Sequence, residues 1–211
     1  MVKRQPEDAP LTRFTDHKIA RRPQLEPGRD DLPEYTGRVR LYWPPGAGSP
    51  LYEALVDRSA WPQLMRRPPA EPEALLMLAE ATKSAELYER ALEVAPGLLG
   101  AWRGLALLRF PDLQVMRKGL AARPSDPFLL TLYGEALRRE GLLPEAEKAL
   151  RAAIDADADQ PEAYVNLGTL FAQQRRFAEA VKMFRAALAI DPSSQAAAGN
   201  LKLAERGAAL Q

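Results

Sequence analysis

The stretch Glu162-Ala163-Tyr164-Val165-Asn166-Leu167-Gly168 repeats, 34 residues on, the pattern of Phe128-Leu129-Leu130-Thr131-Leu132-Tyr133-Gly134. The correspondence continues past both stretches. Gly141 maps to Arg175, Ala146 to Ala180, Leu150 to Phe184 and Ala153 to Ala187, and the second copy closes on Asp191-Pro192. Small residues recur at the eighth, twentieth and twenty-seventh places, and large ones (Tyr164, Leu167, Phe171, Phe184) at the fourth, seventh, eleventh and twenty-fourth.

That spacing predicts two amphipathic helices per copy, joined by a tight turn. Small side chains at Gly168 and Ala180 let the two backbones approach where the helices cross. The large residues fill the groove between successive pairs. Gly141 supplies the positive φ that ends a helix, and Arg175 at the same place predicts a looser turn in the next copy. Pro192 stops a second helix and opens the next.

Working back along the chain, the pattern weakens. Tyr88, Ala91, Leu92, Val94 and Pro96 keep the spacing of Phe184, Ala187, Leu188, Ile190 and Pro192. Trp102, Leu105 and Ala106 match Tyr164, Leu167 and Gly168, while Gly119, Leu120 and Pro124 match Ala187, Leu188 and Pro192. Pro96 to Pro124 is only 28 residues, so about one and a half helical turns are lost around Phe110-Pro111-Asp112. Glu71–Glu80 and Ser84–Val94 form a pair with almost no turn, and Leu51–Val56 with Trp61–Arg67 a more degenerate one. Ser193-Ser194 supplies an N-cap for a last helix over 195–209, whose Asn200, Lys202, Glu205 and Arg206 give the polar outer face of a terminal cap.

The period and its small residues resemble the tetratricopeptide repeat (TPR). The resemblance implies an all-α, right-handed solenoid of four to five helix pairs plus a C-terminal capping helix, spanning 49–211, with the clearest copies at 127–160 and 161–194. It also implies a protein-interaction scaffold rather than an enzyme. In such arrays the first helix of each pair lines the concave face at the second, fifth, sixth, ninth and twelfth to thirteenth places. Here those are Phe128, Thr131, Leu132, Glu135, Arg138 and Arg139, then Glu162, Val165, Asn166, Thr169 and Gln173. Asn166 stands where many peptide-binding repeats hold a backbone amide. Val165 stands where carboxylate-clamping repeats have Lys, which argues against a C-terminal carboxylate clamp.

Composition narrows the function further. The 211 residues include no cysteine, 46% apolar and 27% charged residues, and a formal net charge of +1. Without cysteine there is no disulfide, no cysteine nucleophile and no covalent haem attachment in this chain. A single histidine excludes a histidine-rich metal site. The small net charge gives no argument for nucleic acid, and arginine pairs such as Arg66-Arg67 and Arg138-Arg139 read as solvated helix ends. No run of 18 apolar residues predicts a membrane span. Met1 to Asp8 lacks the apolar core of a signal peptide, which points to the cytoplasm unless other features override it. Asp155, Asp157 and Asp159 lack the glycine and twelfth-place glutamate of a calcium loop and read as a helix end and turn.

Residues 1–48 form an extended arm rich in proline and arginine, with too little apolar surface to fold alone. Arg38–Tyr42 alternates as a short strand or extended stretch would, and 44–50 reads as a linker. Within the arm, Phe14-Thr15-Asp16-His17-Lys18-Ile19-Ala20-Arg21-Arg22-Pro23 resembles a motif of bacterial multihaem c-type cytochromes, which carry CxxCH haem sites followed by a TPR tail. In those proteins a Thr-Asp-His-x-Ile-x-Arg-Arg-Pro stretch comes after the last CxxCH. Tyr35-Thr36-Gly37, Val39–Pro45 and Leu51-Tyr52 continue the same order. The departure is that this chain has no CxxCH, so it looks like the haemless C-terminal portion of such a protein, a separate gene product or a fragment. The resemblance implies association with a multihaem cytochrome, and hence a periplasmic or extracellular location. It also implies an alternative role in electron transfer, with His17 as axial ligand to the iron of a haem c carried by a partner chain. A backbone carbonyl would hold the other ring nitrogen. Phe14 and Ile19 would pack on the porphyrin, and Lys18, Arg21 and Arg22 would pair with propionates.

Overall fold

A computed structural model describes residues 61–210. The arm over 1–48, the alternating stretch at 38–42, the linker, the helix at Leu51–Val56 and His17 lie outside the described residues. Among the described residues there are ten helices and no strand: α1 (Trp61–Arg66), α2 (Pro72–Thr82), α3 (Ala85–Val94), α4 (Leu99–Leu108), α5 (Leu113–Ala122), α6 (Pro127–Arg139), α7 (Leu143–Ala156), α8 (Pro161–Gln173), α9 (Phe177–Ile190) and α10 (Gln195–Ala209). They form four complete antiparallel pairs, α2/α3 to α8/α9, with α10 as a single closing helix and α1 as a short leading one.

One register runs through the array. Ala74, Ala101, Leu129, Ala163 and Ala197 occupy the third place of successive first helices, and all are fully buried. Each first helix packs on its own second helix and on the second helix of the preceding pair, and α2, α4, α6, α8 and α10 also touch one another in sequence. The first helices thus form a continuous inner layer. The crossing points explain the small residues. A Cβ on Gly134 would lie 2.6 Å from Leu150 Cγ, and one on Gly168 would lie 2.7 Å from the Phe184 ring. Leu150 and Phe184 are themselves among the largest fully buried side chains.

The turns are more uniform than the sequence suggests. Gly141 has φ 79°, but Arg175 has φ 61° and Lys83 φ 54°. All three turns close with the same long backbone bond: Leu142 N–H to Leu137 carbonyl (2.9 Å), Arg176 N–H to Phe171 carbonyl (2.8 Å) and Ser84 N–H to Ala79 carbonyl (3.2 Å). This is the Schellman geometry. The turn at Arg175 is therefore not looser; inter-helix packing holds two non-glycine residues in the left-handed region.

The shortened pair loses residues on both sides of Phe110-Pro111-Asp112. In repeat register, α4 ends three residues before α8 does, and α5 begins four residues after α9 does. Asp112 restarts the chain by accepting the Gln114 N–H at 2.8 Å, an N-cap. The first pair is compact as predicted, with only Lys83 and Ser84 between its helices and Ser84 capping α3. Asp157 turns the end of α7, accepting the Asp159 N–H at 3.1 Å.

The capping helix corrects one expectation. Asn200 is half-buried rather than outward, while Lys202, Glu205 and Arg206 are exposed as expected. The Asn200 amide makes a long bond to Thr169 Oγ1 (3.5 Å), and Glu205 accepts from Arg185 Nη2 (2.8 Å). Lys202 is exposed and stands in the eighth-place register of Gly134 and Gly168, so no helix can cross α10 as α9 crosses α8.

Candidate functional site

The face expected from the register is made of the second, fifth, sixth, ninth, twelfth and thirteenth places of the first helices. Two anchors set it. Asp126, its side chain 4% exposed, caps α6 by accepting the Leu129 N–H at 2.9 Å. The same carboxylate takes a two-pronged bond from Arg103 of α4, Nε to Oδ1 at 3.2 Å and Nη2 to Oδ2. Arg103 also lies 5.4 Å from the Phe128 ring centroid. This locks α4 to α6.

On α6, Glu135 accepts from Arg138 Nε (3.0 Å) and Nη2 (3.0 Å) and from Arg139 Nε (2.8 Å). Arg138 Nη1 then reaches Gln173 Oε1 of α8 at 3.2 Å. Arg139 lies over the Phe110 ring at 4.7 Å. Burial works to raise the Glu135 pKa, and the hydrogen bonds and charges of the two arginines together outweigh it and hold the carboxyl below its usual value.

The predicted face residues do not behave alike. Glu135, Arg138, Arg139 and Gln173 form one network. Thr131 is only 6% exposed and turns its hydroxyl back to the Pro127 carbonyl at 2.8 Å, so it offers no contact. Phe128 and Leu132 are half-buried and pack into the α4–α6 core. On α8, Glu162 and Gln173 are exposed, and Val165, Asn166 and Thr169 are half-buried. The Thr169 hydroxyl donates to the Val165 carbonyl at 2.8 Å. Asn166 makes no side-chain hydrogen bond among the described residues. Sequence reasoning missed Asn200, Arg103, Met77 and Leu107, which occupy the same registers. Counting 34 on from Asn166 reaches Asn200, and counting 28 back from Glu135 reaches Leu107.

A second cluster ties the outer ends together. Arg176 bonds Glu147 of α7 (2.8 Å) and Glu179 of α9 (2.6 Å) and stacks 4.1 Å over Phe171. Arg151 shares Glu147 at 2.8 Å. These bonds raise the Arg176 pKa, with Glu179 the larger cause. Every cation in this cluster is satisfied internally, which marks it as a fastening between pairs.

An all-helical, right-handed solenoid of stacked pairs with a continuous inner layer defines a helical-repeat protein. The tetratricopeptide repeat family model matches residues 113–161 and 132–195, so this part of the chain carries tetratricopeptide repeats. Solved structures with similar folds include a MamA protein (TM-score 0.57, 17% identity, 66% of this chain and 81% of that one). YrrB, described as a TPR protein with an unusual peptide-binding site, is also similar (0.52, 19%, 70% and 82%). A third is TTC0263, a thermophilic TPR protein of Thermus thermophilus (0.52, 22%, 74% and 92%). Protein O-mannosyl-transferase TMTC1 of Mus musculus is 27% identical over 155 residues, 65% of this chain and 16% of that protein. The human counterpart is 26% identical, and 18% of it is covered. The chain therefore spans about one sixth of the length of these curated relatives. Among the described residues no helix is long and apolar enough to cross a membrane.

Proposed function

We propose that the chain is a non-enzymatic scaffold whose inner layer holds an extended segment of a protein partner. The observation that carries this reading is the pair Asn166 and Asn200. They stand at the same place of neighbouring first helices, half-buried, and the Asn166 amide is unpaired among the described residues. A side-chain amide both donates and accepts, as a peptide group does. Neighbouring helices lie about 8–10 Å apart, which is about three residues of extended chain. Two such amides can therefore hold one segment by its backbone. The Arg138–Gln173 bridge beside them supplies further polar contacts. Val165 gives no cation for a terminal carboxylate, so the segment is internal to its protein. A photo-reactive residue in place of Gln173 captures the partner under this reading, and one in place of the exposed outer residue Lys148 does not. Equal capture at both positions contradicts it.

We propose further that the partner is a multihaem c-type cytochrome, on the strength of the Thr15–Pro23 stretch, which places the protein in the periplasm or outside the cell. His17 is then the axial ligand of that partner's haem, and the solenoid positions the arm. If that association fails, a cytoplasmic location is the alternative. The test is His17→Ala in the presence of the cytochrome: a low-spin bis-imidazole spectrum that does not change on substitution refutes the ligand role. Sugar transfer of the kind named for TMTC1 is not proposed, because the match covers a small part of that enzyme.

A further inference from the structure

Tyr88 on α3 is 3% exposed, yet its hydroxyl has no hydrogen-bond partner among the described residues. Buried hydroxyls are nearly always paired, because an unpaired one forfeits its hydration. The ring runs from the second-helix layer into the gap beside α4. A Cβ on Gly104 would lie 2.4 Å from the ring and 2.6 Å from the hydroxyl oxygen, so only glycine leaves the hydroxyl room there. Gly104 holds the sixth place of α4, an inner-layer position. The hydroxyl therefore ends against Gly104 of α4; burial raises its pKa, and the charge of Glu80 on α2 adds to the rise.

The rim of this spot is acidic and apolar. Glu80 and Glu73, both exposed on the inner side of α2, have no ion pair among the described residues. Between them in register is Met77, 38% exposed, and across on α4 is Leu107, 55% exposed. The cations nearer the middle of the layer, Arg103, Arg138 and Arg139, are all spent on Asp126 and Glu135. Lys83, at the twelfth place in the α2 register, is unpaired among the described residues as well, so Glu73, Glu80 and Lys83 together leave a net charge of one negative at this end.

We propose that this spot is a pocket for a lysine side chain of a partner protein, flanked in the partner by apolar residues. The ammonium donates to the Glu80 carboxylate and to the Tyr88 hydroxyl oxygen, and the hydroxyl hydrogen turns to Glu80. The methylene stem lies on Met77 and Leu107, in the way long cationic side chains cover apolar surface. This rests on the inner-layer reading and names the chemistry of one end of it. It also gives the unpaired hydroxyl a reason: binding completes a hydrogen bond that the free protein leaves open.

The test uses the full chain and a short labelled peptide with one lysine between leucines, with norleucine and glutamate versions as controls. Fluorescence anisotropy gives affinity, and amide shifts give location. The lysine peptide is expected to bind at least tenfold tighter than either control and to move the Gly104 and Glu80 amides. Glu80→Gln weakens it about tenfold and Tyr88→Phe several-fold, while Tyr88→Phe leaves the melting temperature unchanged or higher because the open hydroxyl is gone. Equal affinity for the lysine and norleucine peptides overturns the proposal, as does a Tyr88→Phe that lowers stability and leaves binding intact. Shifts confined to Asn166 and Arg138 overturn the pocket and leave the inner-layer reading standing.

Discussion

Lys83 and Gly141 offer opposite perturbations of one turn. Lys83 sits at φ 54° with an exposed side chain that has no partner among the described residues. Gly141 sits at φ 79°, with nothing within 4 Å of where a Cβ would project. Neither substitution makes or breaks a contact, so only backbone conformation is at stake. Holding an L-residue in the left-handed region costs about 1–2 kcal/mol. Glycine's extra freedom in the unfolded chain returns about 0.5–1 kcal/mol of that. Lys83→Gly is therefore expected to stabilise by about 0.5–1 kcal/mol, and Gly141→Ala to destabilise by a similar amount. With a urea slope of about 2 kcal/mol per molar, the midpoints detected by far-ultraviolet circular dichroism move by about 0.3–0.5 M in opposite directions. A Gly141→Ala protein as stable as the parent, or a Lys83→Gly protein less stable, refutes the reasoning.

Two further outcomes are expected. Asp126→Ala removes a buried cap and strands Arg103, which is 40% exposed and so partly hydrated; a loss of about 2–3 kcal/mol in urea unfolding is expected, and a loss below about 1 kcal/mol contradicts the coupling of α4 to α6. Glu135 and Glu147 are both held below their ordinary value of 4.5. The folded state thus binds their protons less tightly than the unfolded one. Their contribution is complete above pH 4.5 and disappears as pH falls through the lower folded values, so Glu135→Gln is expected to flatten the acid limb of a stability–pH profile measured below pH 4.5.

How far the sequence reveals each feature depends on the physical cause of that feature. The pairs and their crossings depend on residue size at fixed spacing, and Gly134, Gly168, Ala146 and Ala180 declare them. The shortened pair is visible as 28 residues between prolines. The Arg175 turn is not legible, because its backbone is imposed by packing of the helices on either side, against the residue's own preference. Thr131 falls on the open face by its register but is buried, and its hydroxyl is turned back onto the Pro127 carbonyl of its own helix. Asn200 reads as outward only when α10 is taken as an end; in repeat register it occupies the sixth place, beside Thr169 of α8. The Tyr88–Gly104 contact joins different pairs at a place where the period is 27 rather than 34 residues, so no internal copy announces it.

The most direct test of the inner layer as the working surface is a binding measurement. Peptides selected on the full chain from a displayed random library are titrated against the parent, against Asn166→Ala combined with Arg138→Ala, and against Lys148→Ala on the outer side. At least a tenfold loss is predicted for the double variant and none for Lys148→Ala. Unchanged affinity in the double variant, with unchanged far-ultraviolet circular dichroism, contradicts an inner-layer site.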